Sequence, residues 1–225
     1  MTFSIIARCP RSGQLGMSVS SSSPAVASRC AFARARTGVV ASQNVTDPRL
    51  GPAGLDLLAA GATAEEARDI LVRTSEHAAF RQLVILDAQG RTSVWSGEKA
   101  LGVNATVARE NVAAAGNLLA NPSVPERMVD AFLASDVTLD LGARLLMAMA
   151  AGQEAGGEAG AVRSAGLLVV DREAWPLVDL RVDWDEQPLE RLSELWSVWQ
   201  PQMHDYVVRC LNPLTAPSYG VPGDE

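Results

Sequence analysis

The sequence predicts an α+β fold in which two mainly antiparallel sheets pack face to face between two helical layers, a four-layer αββα sandwich. Three observations lead to this expectation. Short apolar runs bounded by turn residues read as hairpins. Helical patterns come in pairs rather than as single crossovers between strands. No internal repeat or linker divides the chain, so we expect one domain over residues 1–225, with a Pro/Gly-rich tail from about residue 213.

The strands are predicted from apolar runs and from the turns between them. The first hairpin joins residues 2–9 to 15–22 about Ser12-Gly13, and this turn fixes a register that puts Thr2 opposite Ser21 or Ser22. The further predicted strands span residues 38–43, 81–87, 91–96, 106–116, 164–171 and 177–182.

The helices are predicted from spacing and from their ends. Thr63 followed by Glu66 is a capping box that opens a helix running to about residue 73. The other predicted helices span residues 54–61, 125–134, 139–151 and 188–211, the last with a break near Pro201. Residues 44–51 and 152–160 are predicted loops, and Glu158 in the second reads as a solvated loop acid.

Composition excludes several classes of function. The formal net charge is −7 and basic residues are not clustered, so we expect no nucleic-acid partner. No apolar run reaches the roughly 18 residues needed to span a bilayer, and the start does not read as a secretory signal. Three widely spaced cysteines form no disulfide framework, and the two histidines form no metal pattern. We therefore expect a cytoplasmic protein without metal or cofactor.

The start of the chain raises one specific chemical question. If Met1 is removed, Thr2 becomes the first residue, and its α-amine is a suitable base for its own hydroxyl. The run of four serines at residues 20–23 would then lie beside it. Many proteins begin with Met-Thr, however, and a serine run can simply be a polar strand end.

Several phrases, in order and along nearly the whole chain, resemble one family. Those longest and easiest to recognise are TFSIIAR (2–8), GQLG (13–16), GPAGLDLL (51–58), DAQGR (87–91), GNLL (116–119) and VDLRVD (178–183). The sequence thus resembles the DUF1028 family of the N-terminal nucleophile (Ntn) hydrolase superfamily. The resemblance implies an αββα sandwich and a nucleophile at Thr2 after removal of Met1.

The activity that this resemblance implies is that of an amidohydrolase. It would cleave a small non-peptide C–N bond through a covalent acyl-enzyme, without a cofactor, and with a small molecule as substrate. The alternative is a non-catalytic ligand-binding or assembly protein on the same fold. A homodimer is expected from the family and from the apolar tail.

Other polar residues complete the expected site. Asn117 can donate to an oxyanion, although Gly-Asn is also a common turn pair. Ser21 can orient the amine or hydroxyl of Thr2. Arg81 can clamp a substrate carboxylate or form a surface salt bridge. The expected catalytic residues are Thr2, Asn117 and Ser21, and the expected substrate-binding residues are Gln43, Arg81 and Ser22.

Overall fold

The computed structural model describes residues 1–223 and has the αββα architecture predicted from the sequence. Two antiparallel sheets lie face to face, one of six strands and one of four. Helices cover the outer face of each sheet, and three apolar clusters fill the spaces between the four layers. No helix within residues 1–223 is long and apolar enough to cross a membrane.

The six-stranded sheet has the first strand of the chain near its centre. Its strands are β1 (Thr2–Arg8), β2 (Leu15–Ser21), β7 (Ala105–Arg109), β8 (Val112–Asn117), β9 (Ser164–Val170) and β10 (Val178–Val182). They lie in the order β10-β9-β2-β1-β8-β7. Because β1 pairs with β2 on one side and with β8 on the other, both of its edges are fully hydrogen-bonded.

The four-stranded sheet lies between residues 31 and 96, and its strands are adjacent in the order of the chain. Its strands are β3 (Ala31–Arg34), β4 (Gly38–Asn44), β5 (Arg81–Asp87) and β6 (Thr92–Ser96), in that order. Val39, Ala41 and Val84 point toward the first sheet and pack against Ile6 and Met17. This inter-sheet cluster is apolar because alternate residues of each strand face the same side.

The helices are α1 (Ala27–Cys30), α2 (Leu50–Ala59), α3 (Ala64–Thr74), α4 (Val124–Ala134), α5 (Leu141–Glu154), α6 (Pro188–Trp199) and α7 (Met203–Leu211). Helices α4, α5 and α6 pack on the six-stranded sheet, and α2 and α3 pack on the four-stranded sheet. The predicted capping box opens α3: the Thr63 hydroxyl accepts from the Glu66 N–H, and Glu66 accepts from the Thr63 N–H.

The structure corrects three sequence predictions and adds two short elements. Residues 106–116 form two strands, β7 and β8, with a tight turn in which Asn111 has a positive φ of 65°. Helix α2 begins at Leu50, within the predicted loop. Helix α5 extends to Glu154. The short elements α1 and β3 were not predicted, since four-residue segments carry too little periodicity to identify.

Replacing Ile5 tests the sheet–helix core. Ile5 is fully buried between β1 and the helices that cover it. We expect Ile5→Ala to lower the free energy of unfolding by about 2–5 kcal/mol, because the lost burial adds to an unfilled cavity. Urea unfolding measures this.

Val198→Ala is the matched control, since Val198 on α6 is 65% exposed. The change there should stay within about 0.5 kcal/mol. Equal effects at the two positions would contradict the assigned burial of Ile5.

Candidate functional site

The polar end of the inter-sheet layer is set by the alternation of β1. Phe3, Ile5 and Ala7 belong to the cluster under the helices, whereas Ile6 belongs to the cluster between the sheets. Because successive side chains of a strand point to opposite faces, Thr2 and Ser4 share the face of Ile6 and point toward the four-stranded sheet.

The register of β1 brings three of the predicted site residues together. Thr2 pairs directly with Asn117 across β1 and β8. On the other side Phe3 pairs with Ser20, so Ser21 lies opposite Thr2, as the hairpin register predicted. Thr2 is only 5% exposed, and Ser21 and Asn117 are completely buried. The first residue after Met1 is thus enclosed by the ends of two neighbouring strands.

The carbonyl oxygen of Met1 is the point on which two hydroxyl groups converge. The Thr2 hydroxyl donates a hydrogen bond to it. The Ser21 hydroxyl also donates to it, at 2.5 Å, and lies 3.5 Å from the Thr2 Oγ1 atom. A carbonyl beside Thr2 can therefore accept a hydrogen bond from Ser21 at this position.

A chain of directed hydrogen bonds supports Ser21. The Arg29 guanidinium donates to the Ser23 hydroxyl at 2.5 Å. The Ser23 and Ser21 hydroxyls are 2.7 Å apart, and the Ser23 N–H also donates to the Ser21 Oγ at 3.1 Å. Since Ser23 already accepts from a cation, its own proton is directed to Ser21. This arrangement leaves the Ser21 proton for the Met1 carbonyl and strengthens it as a donor.

A second network, made of amide side chains, joins the two sheets. Ser4 donates to Gln43 at 2.7 Å, and Gln43 donates to Gln82, also at 2.7 Å. Asn117 donates to the same Gln82 oxygen at 3.2 Å. Gln82 in turn donates to Ser96 and to the Gly116 carbonyl. The Oδ1 atom of Asn117 is buried without a hydrogen-bond partner among the described residues.

The amide network shows the surroundings of Gln43 and adds one residue to the expected site. Gln43 is completely buried and its contacts are with Ser4 and Gln82, beside the group formed by Thr2, Ser21 and Asn117, here called the Thr2 cluster. Gln82 was missed by the sequence prediction. The sequence carried no signal for it, because both faces of β5 are apolar and only the packing of the sheets shows that Gln82 shares the face of Val84 and Leu86.

The prediction that Glu158 is a solvated loop acid was wrong. Glu158 is 5% exposed, because residues 157–159 hydrogen-bond to the chain that follows β8. Its two carboxylate oxygens lie 3.1 and 3.2 Å from the Ser22 backbone nitrogen and accept from that N–H. Ser22, the neighbour of Ser21 in the chain, thus contacts Glu158 through its backbone N–H.

The surroundings of Glu158 perturb its acidity. Burial raises the pKa of Glu158 to about 7, with partial opposition from its hydrogen bond to Ser22 and from the N-terminal ammonium of Met1. Met1 therefore lies within electrostatic range of this carboxylate. The Met1 side chain also lies beside Gly160, since a Cβ atom at Gly160 would be 3.7 Å from Met1 Cε.

Arg81 lies outside the Thr2 cluster. Arg81 alternates along β5 with the same face as Leu83 and Ile85, so its side chain points toward α2 and α3 rather than toward the other sheet. Its guanidinium donates to the Val45 carbonyl, and it lines a cavity of about 370 Å³ together with Asp47 and His77. The residue predicted to clamp a substrate carboxylate is thus on the opposite face of its sheet from Gln82 and Asn117.

Metal ligands do not gather in the part of the chain that the structure describes. Within residues 1–223, no group of three or more His, Cys, Asp or Glu side chains could hold an ion. The Thr2 cluster itself consists of hydroxyl and amide groups, with Glu158 as its acid. It places hydrogen-bond donors and acceptors around the Thr2 hydroxyl.

Comparison with known proteins identifies the family. The family model described as DUF1028, a family of unknown function, matches residues 2–192. The chain belongs to the DUF1028 family. The crystal structure of a DUF1028 protein from Silicibacter pomeroyi is 30% identical, with a TM-score of 0.81 and coverage of 88% of each chain.

A second solved structure and the curated proteins add little. Anbu, the ancestral β-subunit from Yersinia bercovieri, is 12% identical to this DUF1028 chain, with a TM-score of 0.42 and coverage of 91% of this chain and 97% of that one. No curated protein matches the sequence at a significant level. The comparisons thus establish the family and the fold of the chain.

The pKa of Glu158 leads to a pH-dependent stability. The folded protein binds this proton more tightly than an unfolded chain, whose Glu has a pKa near 4.5. The stabilisation from protonated Glu158 is therefore complete below about pH 4.5 and is lost as the pH rises through 7. Relative to Glu158→Gln, the wild-type free energy of unfolding should fall by about 1–3 kcal/mol between pH 4.5 and 8.

Urea midpoints at several pH values measure this difference. Glu154→Gln is the matched control, because Glu154 is an exposed acid at the end of α5. The urea midpoint of Glu154→Gln should change with pH in the same way as that of the wild type. If the urea midpoint of Glu158→Gln also changes with pH as that of the wild type does, this result would contradict the burial of a carboxyl group without an ion-pair partner at this position.

Proposed function

We propose that this DUF1028 protein is an Ntn-type amidohydrolase that cleaves a small non-peptide C–N bond, with Thr2 as nucleophile after removal of Met1. One observation carries the proposal: the Thr2 and Ser21 hydroxyls converge on a single carbonyl oxygen, that of Met1. A hydroxyl next to a carbonyl that is polarised by a second hydroxyl is the arrangement that acyl transfer requires.

The reaction has two steps that balance. The Thr2 oxygen attacks the substrate carbonyl carbon while the α-amine of Thr2 takes the hydroxyl proton. The C–N bond then breaks, the leaving amine takes that proton, and an ester on Thr2 remains. Water, deprotonated by the same amine, hydrolyses the ester to a carboxylic acid and restores the hydroxyl.

Removal of Met1 is necessary for two physical reasons. While Met1 is present, the nitrogen of Thr2 is an amide, which has no basic lone pair. Met1 also covers the cluster, since Met1 is 39% exposed and Thr2 beneath it only 5%. Removal of one residue therefore supplies the base and opens the nucleophile to a substrate.

The contacts support different roles for Ser21 and Asn117. Ser21 already donates to the carbonyl oxygen beside Thr2, which makes it the better oxyanion donor. One hydrogen of the Asn117 amide is bound to Gln82, while its Oδ1 atom has no partner within the described chain. Because Asn117 pairs with Thr2, this free acceptor suits the new α-amine. Asn117 is then a positioning residue.

The second candidate is a binding or assembly protein on the same fold that has no catalytic activity. The observation that favours it is the nearly complete burial of Thr2 under Met1. If the cell retains Met1, the cluster is a packed polar core. Retention of Met1 in the cell would therefore favour this second function.

A removable leader tests the nucleophile. The chain is made with an N-terminal leader whose specific proteolysis leaves Thr2 as the first residue, as mass spectrometry verifies. We expect no hydrolysis of a panel of small amides before cleavage and hydrolysis after it, because only then does Thr2 carry a free amine. Thr2→Ala should lower the rate at least about a thousandfold.

Thr2→Ser is the conservative control and should retain most of the activity, since it keeps the hydroxyl and the amine. Activity of the leader-bearing protein, or of Thr2→Ala, would contradict the mechanism. Hydrolysis of no amide by the processed protein favours the binding or assembly function.

The donor role of Ser21 has its own test. Ser21→Ala should lower kcat by about 10²–10³ with a smaller effect on KM, because the donor acts on charge that develops in the transition state. Ser20→Ala is the matched control. Ser20 is equally buried on the same strand, but its hydroxyl donates to the Ser164 carbonyl on the opposite face.

Equal losses in the two serine variants would mean that Ser21 acts only through folding. A normal kcat for Ser21→Ala would remove it from the proposed mechanism.

A cytoplasmic homodimer remains part of the proposal. The C-terminal segment exposes large apolar side chains, among them Leu211, Leu214 and Val221. Large apolar surface is often covered by another subunit. The three cysteines are free, which suits a reducing compartment. Light scattering of the purified protein should give twice the chain mass.

A further inference from the structure

Glu158 is a buried acid without an ion-pair partner among the described residues. Among residues 1–223, no arginine or lysine forms an ion pair with its carboxylate. Within the described chain its hydrogen-bond donors belong to Ser22 alone, whose backbone N–H is shared between the two carboxylate oxygens, whereas a carboxylate can accept about four hydrogen bonds. A buried carboxyl group with spare acceptor capacity is costly for folding, and this cost indicates a partner that is bound only at times.

Met1 shows where such a partner would lie. Its carbonyl oxygen is held by Thr2 and Ser21, and its side chain lies beside Gly160. Residues 158 and 160 are on one loop, and the Ser22 that binds Glu158 is next to Ser21. When Met1 leaves, the vacated space has a nucleophile and a donor at one end and a carboxyl group along its side.

From this geometry we infer that Glu158 binds the positively charged amino group of the substrate, and that the substrates are amides of amino acids or similar aminoacyl compounds. This inference rests on the proposed function. The acyl part takes the place of Met1, with its carbonyl at Ser21, its ammonium at Glu158 and its side chain beside Gly160. The ammonium of Met1 itself lowers the pKa of Glu158, so the amino group of the residue that the acyl part would replace lies within electrostatic range of this carboxylate.

Two probes that differ in a single group test the inference. L-Methioninamide reproduces the acyl part of Met1 with its amino group, and 4-(methylsulfanyl)butanamide lacks only that amino group. Binding is measured by calorimetry on the leader-cleaved Thr2→Ala protein, which cannot turn the probes over. We expect the amino amide to bind at least about tenfold more tightly, as a hydrogen-bonded charge pair provides.

Variants locate the preference. Glu158→Gln keeps the volume and an acceptor for Ser22 and should bind both probes equally. Glu154→Gln, an exposed acid four residues earlier, should retain the full preference. Equal binding of the probes to the Glu158 protein, binding of neither, or a preference that persists in Glu158→Gln overturns the inference.

Hydrolysis assays with processed Thr2 protein separate this inference from the proposed function. Cleavage of both amides at equal rates would refute the aminoacyl preference and leave the amidohydrolase intact. Discrimination in binding together with hydrolysis of no amide would refute the amidohydrolase and leave Glu158 as an ammonium site.

Discussion

The structure depends on the double pairing of β1. Because β2 and β8 hydrogen-bond to its two edges, the register of the first seven residues after Met1 is fixed on both sides. A slip by one residue would turn Thr2 toward the helices and move Phe3 into the space between the sheets. The apolar side chains of β1, buried on both faces, make such a slip unfavourable. The position of Thr2 is therefore a consequence of core packing rather than of any local loop.

The same packing determines how polar groups are buried near Thr2. In the Ser4–Gln43–Gln82 network the two amides bond to each other within the four-stranded sheet and to Ser4 and the Gly116 carbonyl of the other sheet, so the network can replace apolar side chains at this end of the layer. Two acceptors near Thr2 have spare capacity, the carboxylate of Glu158 and Oδ1 of Asn117. Both lie near the chain start, where removal of Met1 would create a new amine. The new amine would therefore provide a hydrogen-bond donor next to two acceptors that have spare capacity.

Local patterns predicted much of this fold, and long-range contacts account for what was missed. The Ser12-Gly13 turn set the first hairpin, and its register correctly placed Ser21 opposite Thr2. Turn chemistry could not show that β8 lies beside β1, so the Thr2–Asn117 pairing needed the structure. Glu158 looked solvated because a Gly-rich loop has no periodicity that reports burial. Arg81 and Gln82 are adjacent, and only the packing of the sheets tells which of them faces Asn117.

The electrostatics of the cluster limits what it can bind. An anionic substrate would need a free cation near Thr2, but Arg81 faces the helices on the other side of its sheet. The Arg29 guanidinium is committed to Ser23 and to the carbonyls of Pro24 and Ala25. Burial of Glu158 disfavours further negative charge, and the net charge of −7 gives the whole chain a field that repels anions. Under the proposed function, local and global charge therefore both favour neutral or positively charged acyl groups.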